Sequence, residues 1–198
     1  NNGLTWWALT PGDSSFVRGV SYSGDQSLIG SNAAFGVRPS INLKSNVKIV
    51  DGEGTEGNPY RLEGDNDTNL SNTLLNSRYS GEYITFGTGE NTLYRIVSHE
   101  TSGLTKITSA ESLKSGESFI TSAFGSNSMF SSTNTIGSFL NETYLSDYVG
   151  DEYNDMIENN TTWYLGTLDS DENYRLAKYT DTAMSNLTSS TTNAKVGL

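Results

Sequence analysis

Apolar and polar residues alternate over short stretches along most of this chain, and turn residues interrupt the alternation at frequent intervals. Leu4–Thr10 carries two tryptophans in an alternating run, which predicts a short strand ended by the turn dipeptide Pro11-Gly12. Ser15–Gly24 reads as a second strand closed at Gly24-Asp25, and Ala34–Leu43 as a third, with Pro39 placing it at an edge or a bulge. Asn46–Val50 and Asn58–Gly64 are two further strands, separated by the acidic, glycine-rich loop Asp51–Gly57. The polar run Asp65–Thr73 reads as an internal junction.

Beyond that junction a second set of strands follows. Gly81–Gly87, Thr92–Glu100 and Leu104–Glu111 alternate and are rich in β-branched residues, which predicts a three-stranded meander. Over Asn134–Val149 the apolar residues Ile136, Phe139, Leu140, Tyr144, Leu145, Tyr148 and Val149 follow helical spacing, so an amphipathic helix capped by Thr133 or Asn134 is expected. Asp151–Asn160 reads as a second short helix with Asp151 at its cap, and Thr161–Leu168 and Ala194–Leu198 as late strands. Strands, helices and strands again give an α+β fold, a mostly antiparallel sheet with one or two amphipathic helices, in a single compact domain over residues 1–198.

Charge narrows the partners. Twelve basic residues against 23 acidic ones leave a net charge of −11, which repels phosphates and argues against nucleic acid and anionic membranes. No apolar run is long enough to span a bilayer, so no membrane insertion by this segment is expected. No signal-peptide pattern opens the sequence, which places any targeting or anchoring segment outside it. Cysteine is absent, so thiolate metal sites, thiol nucleophiles and disulfides are excluded. Together with abundant Ser, Thr, Asn and Tyr, this composition points to an extracellular, cell-surface protein.

Three motifs carry a resemblance. The Trp6–Gly12 run (WWALTPG), the Gly36–Pro39 tetrad (GVRP) with the apolar stretch after it, and Asp51–Leu62 (DGEGTEGNPYRL) resemble the carboxy-terminal end of a family of secreted and prepilin-associated surface domains of Gram-positive bacteria (Firmicutes). Residues 79–113, Thr135–Leu145, the Trp163–Gly166 run and Ala194–Leu198 resemble the earlier part of the same domains. The resemblance therefore implies a permuted order, with residues 1–64 matching the family's carboxy-terminal part and 65–198 its amino-terminal part. It implies a distantly C-type-lectin-like fold and a module of a surface fibre, pilin-like or tandem-repeat. Such a module would have copies of itself or neighbouring repeats as partners, assembled by strand completion between copies. On this reading Asn1 and Leu198 lie near each other, and Trp6 and Trp7 belong to a late core strand.

The chemistry-bearing residues are few. His99 is the only histidine, so a serine–histidine–aspartate triad would have to use it, and no nucleophile-elbow pattern accompanies it. The reading is non-enzymatic. Trp6 and Trp7 point to opposite sides of a strand, so one ring faces the core and the other either packs against a neighbouring loop or subunit or, beside Tyr22, stacks on a host or environmental glycan or protein. Arg38, between a core strand and Pro39, is expected to fork onto a carboxylate or backbone carbonyls, with ligand contact as the other role. Asp169, Asp171 and Asn173 follow the opening spacing of a calcium loop, without its glycine or closing glutamate. Asp51, Glu53 and Glu56, and Asp65 and Asp67, form the other acidic turns. No other cofactor is expected. The alternative function is a soluble C-type-lectin-like domain that binds a glycan or protein, with calcium assisting.

Overall fold

The computed structural model describes residues 5–63, 73–165, 167–168, 174–175 and 190–198. Within them the chain is a sheet-dominated α+β protein with mostly antiparallel pairing. It forms two compact units, each drawn from separated segments: Asn1–Val37, Ile120–Asn141 and Asn160–Leu198 in unit 1, Arg38–Phe119 and Glu142–Asn159 in unit 2. Both units therefore draw on both halves of the sequence.

The chain opens in unit 1 with β1 (Trp6–Pro11), β2 (Phe16–Val20), β3 (Gln26–Gly30) and β4 (Ala34–Gly36). The expected third strand over 34–43 is broken. Val37–Pro39 leaves the ladder, and the chain resumes in unit 2 as β5 (Ser40–Leu43). Proline has no N–H for a ladder and biases its predecessor away from regular pairing, so one apolar run becomes two strands. In unit 2, β5 is followed by the hairpin of β6 (Lys48–Asp51) and β7 (Arg61–Glu63), and then by β8 (Tyr83–Thr85), β9 (Leu93–His99) and β10 (Thr105–Ser109). The expected meander is present as β8-β9-β10, and β5 extends it antiparallel on the β10 side. A small hairpin, β11 (Lys114–Ser115) with β12 (Ser118–Phe119), closes this passage.

The chain then re-enters unit 1 as β13 (Thr121–Ala123), which pairs with β4. The unit 1 sheet runs in the order β13-β4-β1-β2-β3, and β1–β4 is its parallel pair. Trp7 sits at its centre, 1% exposed, with the edges of Phe35 and Phe124 against its ring at centroid distances of 5.4 and 5.6 Å. Its indole N–H donates to the Ser122 carbonyl at 2.8 Å, so the one polar atom of the ring is satisfied inside the core. The late strands β14 (Thr161–Leu165), β15 (Thr167–Leu168), β16 (Tyr174–Arg175), β17 (Ser190–Ala194) and β18 (Val196–Gly197) also belong to unit 1, with β14 paired to β17 and β15 to β16. Gly197 lies flat on Trp163: a Cβ there would stand 2.7 Å from the indole.

The expected helix starts at Asn134, whose side chain accepts from the Gly137 amide and caps α1 (Thr135–Ser138). Gly137 is required by its neighbour, because a Cβ would sit 1.8 Å from the Ser131 carbonyl oxygen. After α1 the helix widens into two π turns, Phe139–Thr143 and Leu145–Val149. The apolar spacing explains the widening. Ile136, Leu140 and Tyr144 are four apart, but the next fully buried position, Val149, is five on, and bonds of i→i+5 type keep it on the same side. α2 (Gly150–Asn154) follows, with Val149 at its cap; Asp151, expected as the cap, lies in the first turn without a capping bond. In unit 2 the hydroxyls of Tyr94 and Tyr144 meet at 2.5 Å in full burial, which raises both phenol pKa values.

Candidate functional site

Among the described residues the unit 1 sheet ends in an uncharged strand. β3 ends the sheet, pairing with β2 over five residues in unbroken register from Phe16↔Gly30 to Val20↔Gln26. Its sequence, QSLIG, contains no charge, no proline and no bulge, the devices by which edges are usually blunted. Leu28 is 54% exposed, Phe16 on the adjoining strand 43%, and Tyr22 at the hairpin turn 58%. Trp6 and Trp7 divide as their alternation requires: Trp7 is core and Trp6 is half-buried. Of the aromatic residues singled out in the sequence, Tyr22 is thus the most exposed and Trp7 is unavailable to any ligand.

Arg38 is half-buried and anchors the start of β5 to the end of β10. Its Nε and Nη2 donate to the Ser109 carbonyl at 3.2 and 2.7 Å, and Nη2 also reaches the Ala110 carbonyl at 2.9 Å. Burial lowers its pKa and the charge of Arg95 lowers it further, against an opposing pull from Glu111. Of the partners expected from the sequence, a carboxylate or backbone carbonyls, these bonds are to carbonyls. Beside it, Glu90, Leu93, Ala110, Glu111 and Lys114 line a cavity of about 220 Å³. Lys114 and Glu111 pair within its wall at 2.6 Å, and Asn91 both donates to and accepts from the Lys114 backbone.

Arg95 projects from the middle of β9, where it is the ladder partner of Tyr83 on β8 and Thr108 on β10. Its guanidinium lies 5.0 Å from the Tyr83 ring centroid, and its Nε donates to the Gly81 carbonyl at 3.3 Å. Among the described residues no carboxylate pairs with it, although acids outnumber bases almost two to one in the chain. Nothing in the local sequence, TLYRIVS, marks this arginine out; its significance depends on which acids the fold leaves distant.

Several other charged residues form structural pairs. Glu82 accepts from both Arg78 nitrogens, from the Tyr79 amide at 2.8 Å and from the Tyr60 hydroxyl at 3.2 Å. Burial pushes its carboxyl up, but these bonds together outweigh burial and hold the pKa below the usual carboxylate range. His99 uses both ring nitrogens, Nδ1 with the Thr105 hydroxyl at 3.0 Å and Nε2 donating to the Arg78 carbonyl at 2.6 Å. Neither contact is to a serine. Asp51, one of the loop acids, forms a fork with Arg61 across the β6–β7 hairpin. No cluster of three or more metal-ligating side chains occurs among the described residues. Asp169, Asp171 and Asn173 lie outside those residues, as do Asp65 and Asp67, and as does Asn1, which was expected beside Leu198. No helix among the described residues is long and apolar enough to cross a membrane.

Asn141, in an Asn-x-Thr triplet, is a structural clamp: its amide donates to the carbonyls of Gly137 and Val196 and accepts from the amides of Lys195 and Val196. No family model, no curated protein and no solved structure matches this chain.

Proposed function

We propose that this chain is a non-enzymatic, extracellular module of a Gram-positive bacterial surface fibre, C-type-lectin-like and permuted in order, with a structural and adhesive role. The observation that carries the reading is the β3 edge: uncharged, regular, flanked by Leu28 and Phe16, and at the end of a five-stranded sheet. An edge of this kind is a template for main-chain pairing with another strand. The opposite end of the same sheet is β13. Pairing β3 of one copy with β13 of the next is a head-to-tail contact, and repeated without closure it extends a sheet from copy to copy. Two further observations support the family reading. The Trp6 and Gly36 motifs are direct partners in the β1–β4 pair, and the opening and closing strands of the chain belong to the same unit.

The test is the solution mass across a range of protein concentrations, with electron microscopy of the same samples. Mass that grows with concentration, with filaments in the images, is expected. Leu28→Lys, which places a charge on the edge, should return the protein to monomers without altering its circular dichroism. A monomer at every concentration, or a closed dimer only, would overturn the fibre reading.

A further inference from the structure

One face of the unit 2 sheet carries an arginine that no carboxylate pairs with among the described residues. Along β9, Leu93 and Arg95 point to the same side, and on β10 Thr108 and Ala110 share that side with them, since Thr108 is the partner of Arg95. Leu93 and Ala110 form the apolar part of the cavity wall, and Glu90, Glu111 and Lys114 form its polar part. Arg95 stands one pleat further along the strand, exposed, with its plane fixed by Tyr83 and by the Gly81 carbonyl. The bond to Gly81 uses Nε, which leaves the two terminal nitrogens as a fork. Arg38 feels the opposed charges of Arg95 and Glu111, and in the cavity wall Glu111 is paired with Lys114 while Glu90 accepts from the Gly116 amide.

We propose that this face is a binding site for an acidic saccharide unit, with the ligand carboxylate on the Arg95 fork and the sugar ring over Leu93 and Ala110 in the adjoining cavity. The geometry orients such a ligand in one direction. A planar guanidinium held by an aromatic ring is pre-organised for bidentate contact with a carboxylate. Glu90, which accepts from the Gly116 amide, keeps further lone pairs for a sugar hydroxyl, and the apolar floor suits the C–H face of a pyranose. A cavity of about 220 Å³ is below the roughly 300 Å³ at which drug-sized pockets begin. It suits a single ring. The site does not depend on the fibre reading, because it needs nothing from a second copy.

The probe is D-glucuronate, titrated into the intact chain by NMR with backbone amides as reporters, beside D-glucose, acetate and a short poly-glutamate peptide. Glucuronate should bind with a Kd on the order of 1 mM and shift the amides of 93–95 and 108–111, and glucose and acetate should each bind about tenfold more weakly. Arg95→Gln should lose about tenfold in glucuronate affinity. Arg95→Lys, which keeps the charge but not the fork, should lose most of the same factor, and Arg61→Gln on the β6–β7 hairpin should lose nothing. Equal binding of glucose and glucuronate, full affinity in a folded Arg95→Gln, or preference for the peptide would each overturn the proposal, as would no binding of glucuronate at all.

Discussion

At the level of single residues, the acidic side chains divide by whether a fixed donor reaches them. Glu82 is the most fully engaged, with Arg78, the Tyr79 amide and the Tyr60 hydroxyl converging on one carboxylate, and Arg78 stacked 5.1 Å from the centre of the Tyr60 ring. Its pKa in the fold lies below the unfolded value of about 4.3. The stabilisation is therefore complete above about pH 4.3 and is lost as the pH falls through the lower folded value. Glu82→Gln keeps the shape and removes the charge. It should cost roughly 1–2 kcal/mol at pH 7, and urea melts of the two proteins should converge on acidification towards about pH 2.5. A deficit that persisted unchanged at acid pH would mean that the glutamine disturbs packing, and that the charge contributes nothing.

Asn141 shows what an element can require that periodicity does not reveal. The sequence pattern placed the helix and its cap correctly because burial at Ile136, Leu140 and Tyr144 obeys a four-residue spacing that is written in the side chains. The use of Asn141 to hold the Lys195–Val196 backbone is a long-range matter, 54 and 55 residues apart in sequence, and no local rule encodes it. The meander was legible for the opposite reason: β8, β9 and β10 are joined by short turns and alternate cleanly. β3 was missed because QSLIG has too few β-branched residues to stand out, although its place as the open edge makes it central to the proposed assembly. Asn141→Ala leaves the Lys195 and Val196 amides without the acceptor they share. It should destabilise the protein by roughly 2–3 kcal/mol, read as a lower thermal midpoint, and should release the carboxy-terminal strand to faster amide exchange. An unchanged midpoint would show that solvent replaces the clamp at no cost.

For the molecule as a whole, the two proposed contacts respond to the same charge distribution in opposite ways. The division into two units was not legible, because the chain changes unit at Val37–Arg38 inside one apolar run and again at Asn141–Glu142 inside one helix. Arg95 was passed over for the same kind of reason: an arginine in an acidic chain looks ordinary until the fold shows which acids are out of reach. Copies carrying a net charge of −11 repel one another, while the β3 edge offers no charge to offset that repulsion. Screening shortens from about 30 Å at 0.01 M salt to about 8 Å at 0.15 M, so added sodium chloride should strengthen strand-edge assembly. The same salt should weaken glucuronate binding, which draws on the attraction of Arg95 for a carboxylate. Light scattering and NMR titration at about 0.01 and 0.3 M sodium chloride would separate the two. Assembly that dissolves in salt would identify an ionic contact between copies and exclude β3 pairing as its basis. Glucuronate binding indifferent to salt would remove Arg95 from the site, because a contact without a charge-assisted bond has no use for that guanidinium.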